Sequence, residues 1–394
     1  MDRNEEKAEL PGDIIYTHIL PRLPVRSLMR FRCVSKYWNQ LTYDPSFARL
    51  HKSLHCPTHL LITSWSVVGD ESRIHFVSVP VRKDAKLGTP VHLLSLPIDK
   101  HYVLQSLNGL LCIHRSNMMY PYHGDKPVFI FNPSTREIAT VPVDDTLKTR
   151  SSHVSYYFGF CQLTNEHKVL GLRRFFNMDF EPISIECEVY TIGSGSWRRI
   201  KPAVPFDPAE LTYYTDPVCF NGALHWICQS QKSIVAFDVG GECFREFQMP
   251  EGFPSRSFLG YLLIVGGRLA MVNGKHLFDE STMELWVLDD YQKHVWVKDC
   301  IKFPFDWTES GRPIPAGTIH NGELLLLPIL SVSSMSVLFY DMKRRSFRRV
   351  EVSGLPEHFL PISQRITSYE ESIMALGGRI LGQGVEMGGL CDKI

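Results

Sequence analysis

Hydrophobic positions follow two different rhythms along the 394-residue chain. Between residues 10 and 55 they recur every three or four positions, the spacing of one face of a helix. The clearest stretch is LPVRSLMRFRCVSKYWNQL, residues 23–41, where Leu28, Phe31, Val34, Trp38 and Leu41 share a face while Arg26, Arg30, Arg32 and Lys36 take the other directions. A first helix is expected after Leu10-Pro11-Gly12, with Asp13 as N-cap and Ile14, Ile15, Ile19 and Leu20 as its apolar side. Pro21 and Pro24 end it and impose an extended break. A second helix then starts at Val25 or Ser27 and runs through the quoted stretch, and a short third one covers 47–54 after the turn Asp44-Pro45-Ser46.

From residue 57 onward the rhythm is that of strands, and it repeats. A turn entering an apolar run recurs at Asn108-Gly109, Asn221-Gly222, Gly266-Gly267 and Asn321-Gly322, each reading as a tight hairpin. A second apolar run carries Phe131, Tyr190, Phe237, Trp286 and Phe339, spaced by 59, 47, 49 and 53 residues, and a third, after a short polar turn, carries Ile138, Trp197, Phe244, Trp296 and Phe347. A looser copy covers residues 60–96. One small sheet cannot bury both of its faces, whereas about six stacked around an axis can, so the period predicts an irregular, kelch-like β-propeller. A β-sandwich is the alternative. The expected class is therefore α+β in two domains: a three-helix head over 10–55 and an all-β body over 56–376, flanked by a disordered N-terminus (1–9) and a Gly-rich flexible tail (377–394).

Charge changes this picture only in the head. The chain as a whole has no net charge, which argues against a general nucleic-acid or membrane-surface binder. Yet from Ile14 to His55 seven basic residues face the single acid Asp44, a surface that would attract an acidic partner. A head of this size barely supports a core of its own, and its large apolar side chains exceed what one internal seam can use. Part of that face should meet either another molecule or the chain's own body. The ten cysteines are scattered with no CxxC pair, the usage of reduced thiols, and the polar, acidic start is no signal peptide, so the cytosol or nucleus is expected.

No arrangement of residues points to bond chemistry. His51, His55, Cys56 and His59 have the types but not the alignment of a metal site, because Pro57 interrupts the helix before His59. The Gly-rich runs around Gly266 and at 377–384 lack a phosphate-binding fingerprint, and neither a G-x-S-x-G elbow nor an HExxH is present. No enzyme activity, cofactor or metal is expected. The basic run KRRSFRR (343–349) reads as the exposed side of a hairpin with Phe347 turned inward, in preference to a nuclear-import or nucleic-acid patch. The loops RSNMMYPYHGDK (115–126) and RRFFNMDFEP (173–182) are candidates for partner recognition, with ordinary blade packing as the competing reading.

Residues 10–53 resemble an F-box: Leu10-Pro11, Ile19-Leu20, Leu23-Pro24, Leu28, Cys33-Val34-Ser35-Lys36, Trp38, Leu41, Asp44-Pro45 and Phe47 fall where that family has them. FNPSTREIATVP (131–142), YFGF (157–160), VYTIGSGSWRRI (189–200), CFNGALHWI (219–227), FDVGGECFREFQMP (237–250) and EESIMAL (370–376) are similar to the plant F-box-associated domain. The resemblance implies that the head docks on the Skp adaptor of a cullin-RING ubiquitin ligase. The implied docking residues are Leu10, Pro11, Ile14, Ile15, Ile19, Leu20, Leu23, Pro24, Leu28, Phe31, Val34, Trp38 and Leu41. The body would hold a target protein for ubiquitination, making the chain a non-catalytic receptor subunit. A scaffold or competitor that binds the adaptor without promoting degradation, and more remotely a propeller enzyme, are the alternatives. The target stays unknown at this level.

Overall fold

The computed structural model describes residues 12–54, 58–68, 71–82, 86–97, 102–115, 127–142, 152–177, 182–201, 204, 217–228, 232–254, 260–319, 321–329, 336–355, 365–376 and 379–380. Its organisation grows from two repeated turns. At Asn108-Gly109 and Asn221-Gly222 both residues have positive φ (53° and 78°, 49° and 75°), the conformation whose twist matches that of the flanking strands. The second turn opens with Asn132, Asp238, Asp290 or Asp341, whose Oδ1 accepts the backbone N–H groups two and three residues on at 2.7–3.3 Å. Each is followed four residues later by a left-handed residue: Arg136, Glu242, His294 and Arg345. A short polar side chain thus ends one strand, holds the turn and starts the next.

These turns generate six antiparallel sheets. Blade 1 contains β1 (Thr58–Val68), β2 (Glu71–Pro80) and β3 (Val91–Leu96). Blade 2 contains β4 (Tyr102–Leu107), β5 (Leu110–Arg115), β6 (Val128–Asn132) and β7 (Glu137–Val141), and blade 3 β8 (Ser152–Cys161), β9 (Glu166–Phe176), β10 (Pro182–Thr191) and β11 (Trp197–Ile200). Blade 4 is β12 (Val218–Phe220), β13 (Ala223–Cys228), β14 (Ser233–Asp238) and β15 (Cys243–Gln248). Blade 5 is β16 (Tyr261–Val265), β17 (Arg268–Asn273), β18 (Thr282–Asp290) and β19 (Val295–Lys302). Blade 6 is β20 (Pro313–Thr318), β21 (Leu324–Pro328), β22 (Ser336–Asp341) and β23 (Ser346–Glu351). Phe131, Tyr190, Phe237, Trp286 and Phe339 all fall on the third strand of their blades, and Ile138, Trp197, Phe244, Trp296 and Phe347 on the fourth.

Closure comes from the far end of the chain. β24 (Arg365–Glu370) pairs with β1, with Tyr369 opposite His59, and supplies the first strand that blade 1 lacks. First strands then touch all the way round: β4 meets β8, β8 meets β12, and so on through β16, β20 and β24 back to β4. The core is six wedges between neighbouring blades. Phe76 and Phe131 meet between blades 1 and 2, and Trp226 and Phe237 fill the wedge of blades 3 and 4. That geometry explains the unbroken apolar runs: β6 and β13 are buried along their whole length, while outer strands such as β23 keep an exposed side.

Two further sequence expectations meet the structure here. In the basic run, Phe347 packs into the wedge of blades 5 and 6, Arg345 bonds Asp299 at 3.0 Å and Arg348 bonds Glu323 at 2.6 Å. Those charges are matched within the propeller. Inside the expected flexible tail, β25 (Arg379–Ile380) pairs with β7 and adds a fifth strand to blade 2. Residues 1–9, 377–378 and 381–394 lie outside the described residues.

Candidate docking head and its seam with the propeller

The head opens as a winding helical stretch, α-helical over Gly12–Ile14 (α1), π-type over Ile15–Ile19 and 3-10 over Leu20–Arg22. Asp13 lies inside this stretch, so it is not the expected cap; its carbonyl accepts the Thr17 hydroxyl at 2.7 Å. Leu23 and Pro24 are then extended, with ψ of 144° and 145°, as the neighbouring prolines require.

The expected second helix is two helices. α2 (Val25–Phe31) and α3 (Lys36–Thr42) are separated by a turn, because the Ser35 hydroxyl accepts the Tyr37 N–H at 3.2 Å and begins a new helix. The break divides the apolar face that periodicity had drawn as one. Leu28 and Leu41 are buried, Phe31 and Trp38 are half-buried against each other, and Val34, in the turn, is 69% exposed. α4 (Pro45–Leu54) starts two residues earlier than expected, because Pro45 suits a first helical position and Asp44 Oδ1 accepts the Ser46 N–H at 2.8 Å.

Of the other anticipated docking residues, Leu20 is buried, Ile15 and Leu23 are half-buried, and Ile14, Ile19 and Pro24 are exposed. Leu10 and Pro11 lie outside the described residues. Leu20, Val25, Leu28, Leu41 and Phe47 converge on one small core, and the sixth buried member of that core is Ile373. Ile373 follows the closing strand β24, so the body itself fills the centre of the head.

The segment carrying Ile373 is anchored on both sides. Asn132 Nδ2 donates to the carbonyls of Ser372 and Met374 at 3.0 and 2.8 Å, the Ser372 N–H donates to Ser134 Oγ at 3.1 Å, and the Leu376 N–H donates to Glu137 Oε2 at 2.7 Å. Glu137 is buried, and its other oxygen faces Arg32 of the head at 3.6 Å. Glu371 accepts the Val25 N–H at the start of α2; burial raises its pKa above the usual carboxylate range and that bond partly offsets the rise. Below α4, Lys52 reaches Asn108 at 2.5 Å, and His51 Nε2 lies 3.0 Å from the Leu23 carbonyl. His167 stacks on Phe158, and burial together with the nearby Lys52 pushes its pKa down to about 3. His59 bonds Ser78 in blade 1, so His51 and His59 serve separate structural contacts; His55 and Cys56 lie outside the described residues.

Gly109 shows how tightly the segment is seated. A Cβ there would lie 2.5 Å from the Glu370 carbonyl oxygen and 2.6 Å from Ser372 Cβ, at a φ of 78°. Gly109→Ala is expected to cost about 2 kcal/mol or more, since strain and a backbone clash add. Protease sensitivity of the head and hydrogen exchange of its α2 amides measure it; values unchanged from the parent chain would show that the segment has room to move.

Comparison with known proteins matches both parts of this chain. The family model described as F-box associated beta propeller domain matches residues 64–374, and one described as F-box-like matches residues 8–52. The chain belongs to the F-box-associated propeller family. The F-box protein DOR of Arabidopsis thaliana is 27% identical over 379 residues, covering 90% of this chain and 91% of the relative. The F-box protein At4g19940 of the same plant is 27% identical over 384 residues, covering 89% and 88%. Among solved structures, apo AztD from Citrobacter koseri aligns with a TM-score of 0.38 and 11% identity, covering 81% of this chain and 99% of that one.

In this F-box protein, the head rests on the propeller face made by the first-to-second and third-to-fourth strand turns, where Asn108, Asn132 and Glu137 lie. The second-to-third turns open on the opposite face. Both candidate recognition loops connect second to third strands, β5 to β6 and β9 to β10, so they leave their blades away from the head. Arg173 and Arg174 are buried in β9 and belong to blade packing; residues 116–126 and 178–181 lie outside the described residues.

Proposed function

We propose that this F-box protein is the substrate-recognition subunit of a Skp-cullin-F-box ubiquitin ligase. The head would bind a Skp-type adaptor through the apolar groups left uncovered after Ile373 has filled its centre: Ile14, Ile19, Val34 and Tyr37, all exposed. The propeller would bind the target on the face turned away from the head. The observation that carries the reading is the seam: a head pinned by Ile373, Glu137 and Asn132 holds a fixed orientation to the recognition surface. Fixed orientation matters because such a receptor does no bond chemistry; it raises the effective concentration of a target lysine beside the ubiquitin carrier. Its scattered thiols, free throughout the described residues, suit work in the reducing cytosol or nucleus.

Affinity purification from native tissue, joined to quantitative ubiquitin profiling with and without the chain, tests this. Recovery of a Skp-type adaptor with a cullin, and proteins that lose ubiquitin and accumulate when the chain is removed, are the expected results. Adaptor recovery with no change in any protein's ubiquitination would assign a scaffold role instead. Absence of the adaptor would end the proposal.

A further inference from the structure

Between α2 and the turns of blades 1 and 2 lies a cleft of about 930 Å³. Arg26 and Arg30, four residues apart and so on one side of α2, line its head wall, and Arg136, at the left-handed position of the β6–β7 turn, lines the opposite wall. Arg32 lies at the same wall of the head but is already engaged, with Glu137 at 3.6 Å and Asn39 at 3.1 Å. The side chains of Arg26, Arg30 and Arg136 have no ion pair or hydrogen bond among the described residues. Elsewhere on the propeller Arg198, Arg245, Arg268, Arg345 and Arg348 each hold a carboxylate. Among the described residues one carboxylate, Glu371, lines the cleft, and it accepts the Val25 N–H.

We propose that this cleft binds a compact polyphosphorylated small molecule that bridges the head and blade 2. Three arginines lining one partly enclosed space concentrate a positive field, which a multivalent anion relieves. Guanidinium forks match phosphate oxygens two at a time, and two walls of arginine suit a ligand with phosphates on opposite sides. The volume lies within the usual range for small-molecule sites. The cleft lies on the head side of the propeller, away from the turns that carry the long loops, which favours a small ligand over a target peptide. Because its walls belong to two domains, a bound ligand also ties the head to the body and stabilises the whole chain.

The test uses the full-length chain at fixed, near-physiological salt, titrated calorimetrically and by thermal shift with inorganic tripolyphosphate, inositol hexakisphosphate and orthophosphate. Tripolyphosphate or inositol hexakisphosphate, or both, should bind with a raised melting temperature, and orthophosphate much more weakly. The first two arms separate a linear polyphosphate from a phosphorylated ring. Arg30→Gln and Arg136→Gln should each weaken binding about tenfold or more, the effect of losing one charged hydrogen-bonding partner. Arg345→Gln, at a side chain that does not line the cleft and is paired with Asp299, should leave it unchanged. Failure of both polyphosphates to bind, or equal affinity in the parent and both cleft variants, overturns the proposal. So does loss of adaptor binding in Arg30→Gln without any response to polyphosphate, which would assign the arginines to a protein contact.

Discussion

Ile373→Ala is expected to loosen the F-box by about 3 kcal/mol while leaving the propeller folded. Ile373 is 2% exposed and packs among Leu20, Val25, Leu28, Leu41 and Phe47, so truncation leaves a cavity in a core too small to close around it. The propeller loses little, because β24 keeps its own ladder with β1 from Thr58 to Thr63. Two domains need not unfold together, so a single melting temperature is the wrong readout. Hydrogen exchange of the α2 and α4 amides is the right one: their protection should fall while that of β13 and β14 holds. Leu163→Ala, at a side chain 97% exposed, serves as the control and should change nothing measurable. Unchanged protection of α2 and α4 in Ile373→Ala would mean that the head is stable without its seam.

The second large effect concerns docking. Val34→Asp combined with Ile14→Asp should weaken adaptor binding about thirtyfold or more with little change in folding, because Val34 is 69% and Ile14 38% exposed. These positions separate docking from folding. Leu28→Asp would place a charge at a position 2% exposed and unfold the head, so its loss of binding would say nothing about the surface. Trp38, half-buried against Phe31, mixes the two effects. Titration of the purified adaptor into each full-length variant, beside its circular dichroism spectrum, measures both. Normal affinity in the double variant would place the docking face elsewhere on the head.

Much of the propeller was legible because its rules are local. A tight turn such as Asn-Gly states its own conformation, and the aromatic markers landed on the third and fourth strands since strand order within a blade follows chain order. The turns opened by Asn132, Asp238, Asp290 and Asp341 offered a second, equally local signal, an Asx residue four positions before a left-handed one, which the marker spacing alone did not use. The helical head was legible to the level of its elements but not of its faces. Helical periodicity continued through residues 32–35, whereas Ser35 capping ended one helix and began another.

By itself, then, the sequence determined the strand-and-turn grammar of the body, the presence of an F-box ahead of it, and the surplus of basic charge on that head. Each depends on residues within a few positions of one another. Only the tertiary structure decided which apolar residues of the head are core and which are free, that Ile373 is one of the core, and that Arg26, Arg30 and Arg136 face a common cleft. Those outcomes turn on ring closure: β24 must return to β1 before the residues that follow it can meet Asn132, Glu137 and the helices. No period in a sequence records a contact between residues more than two hundred positions apart.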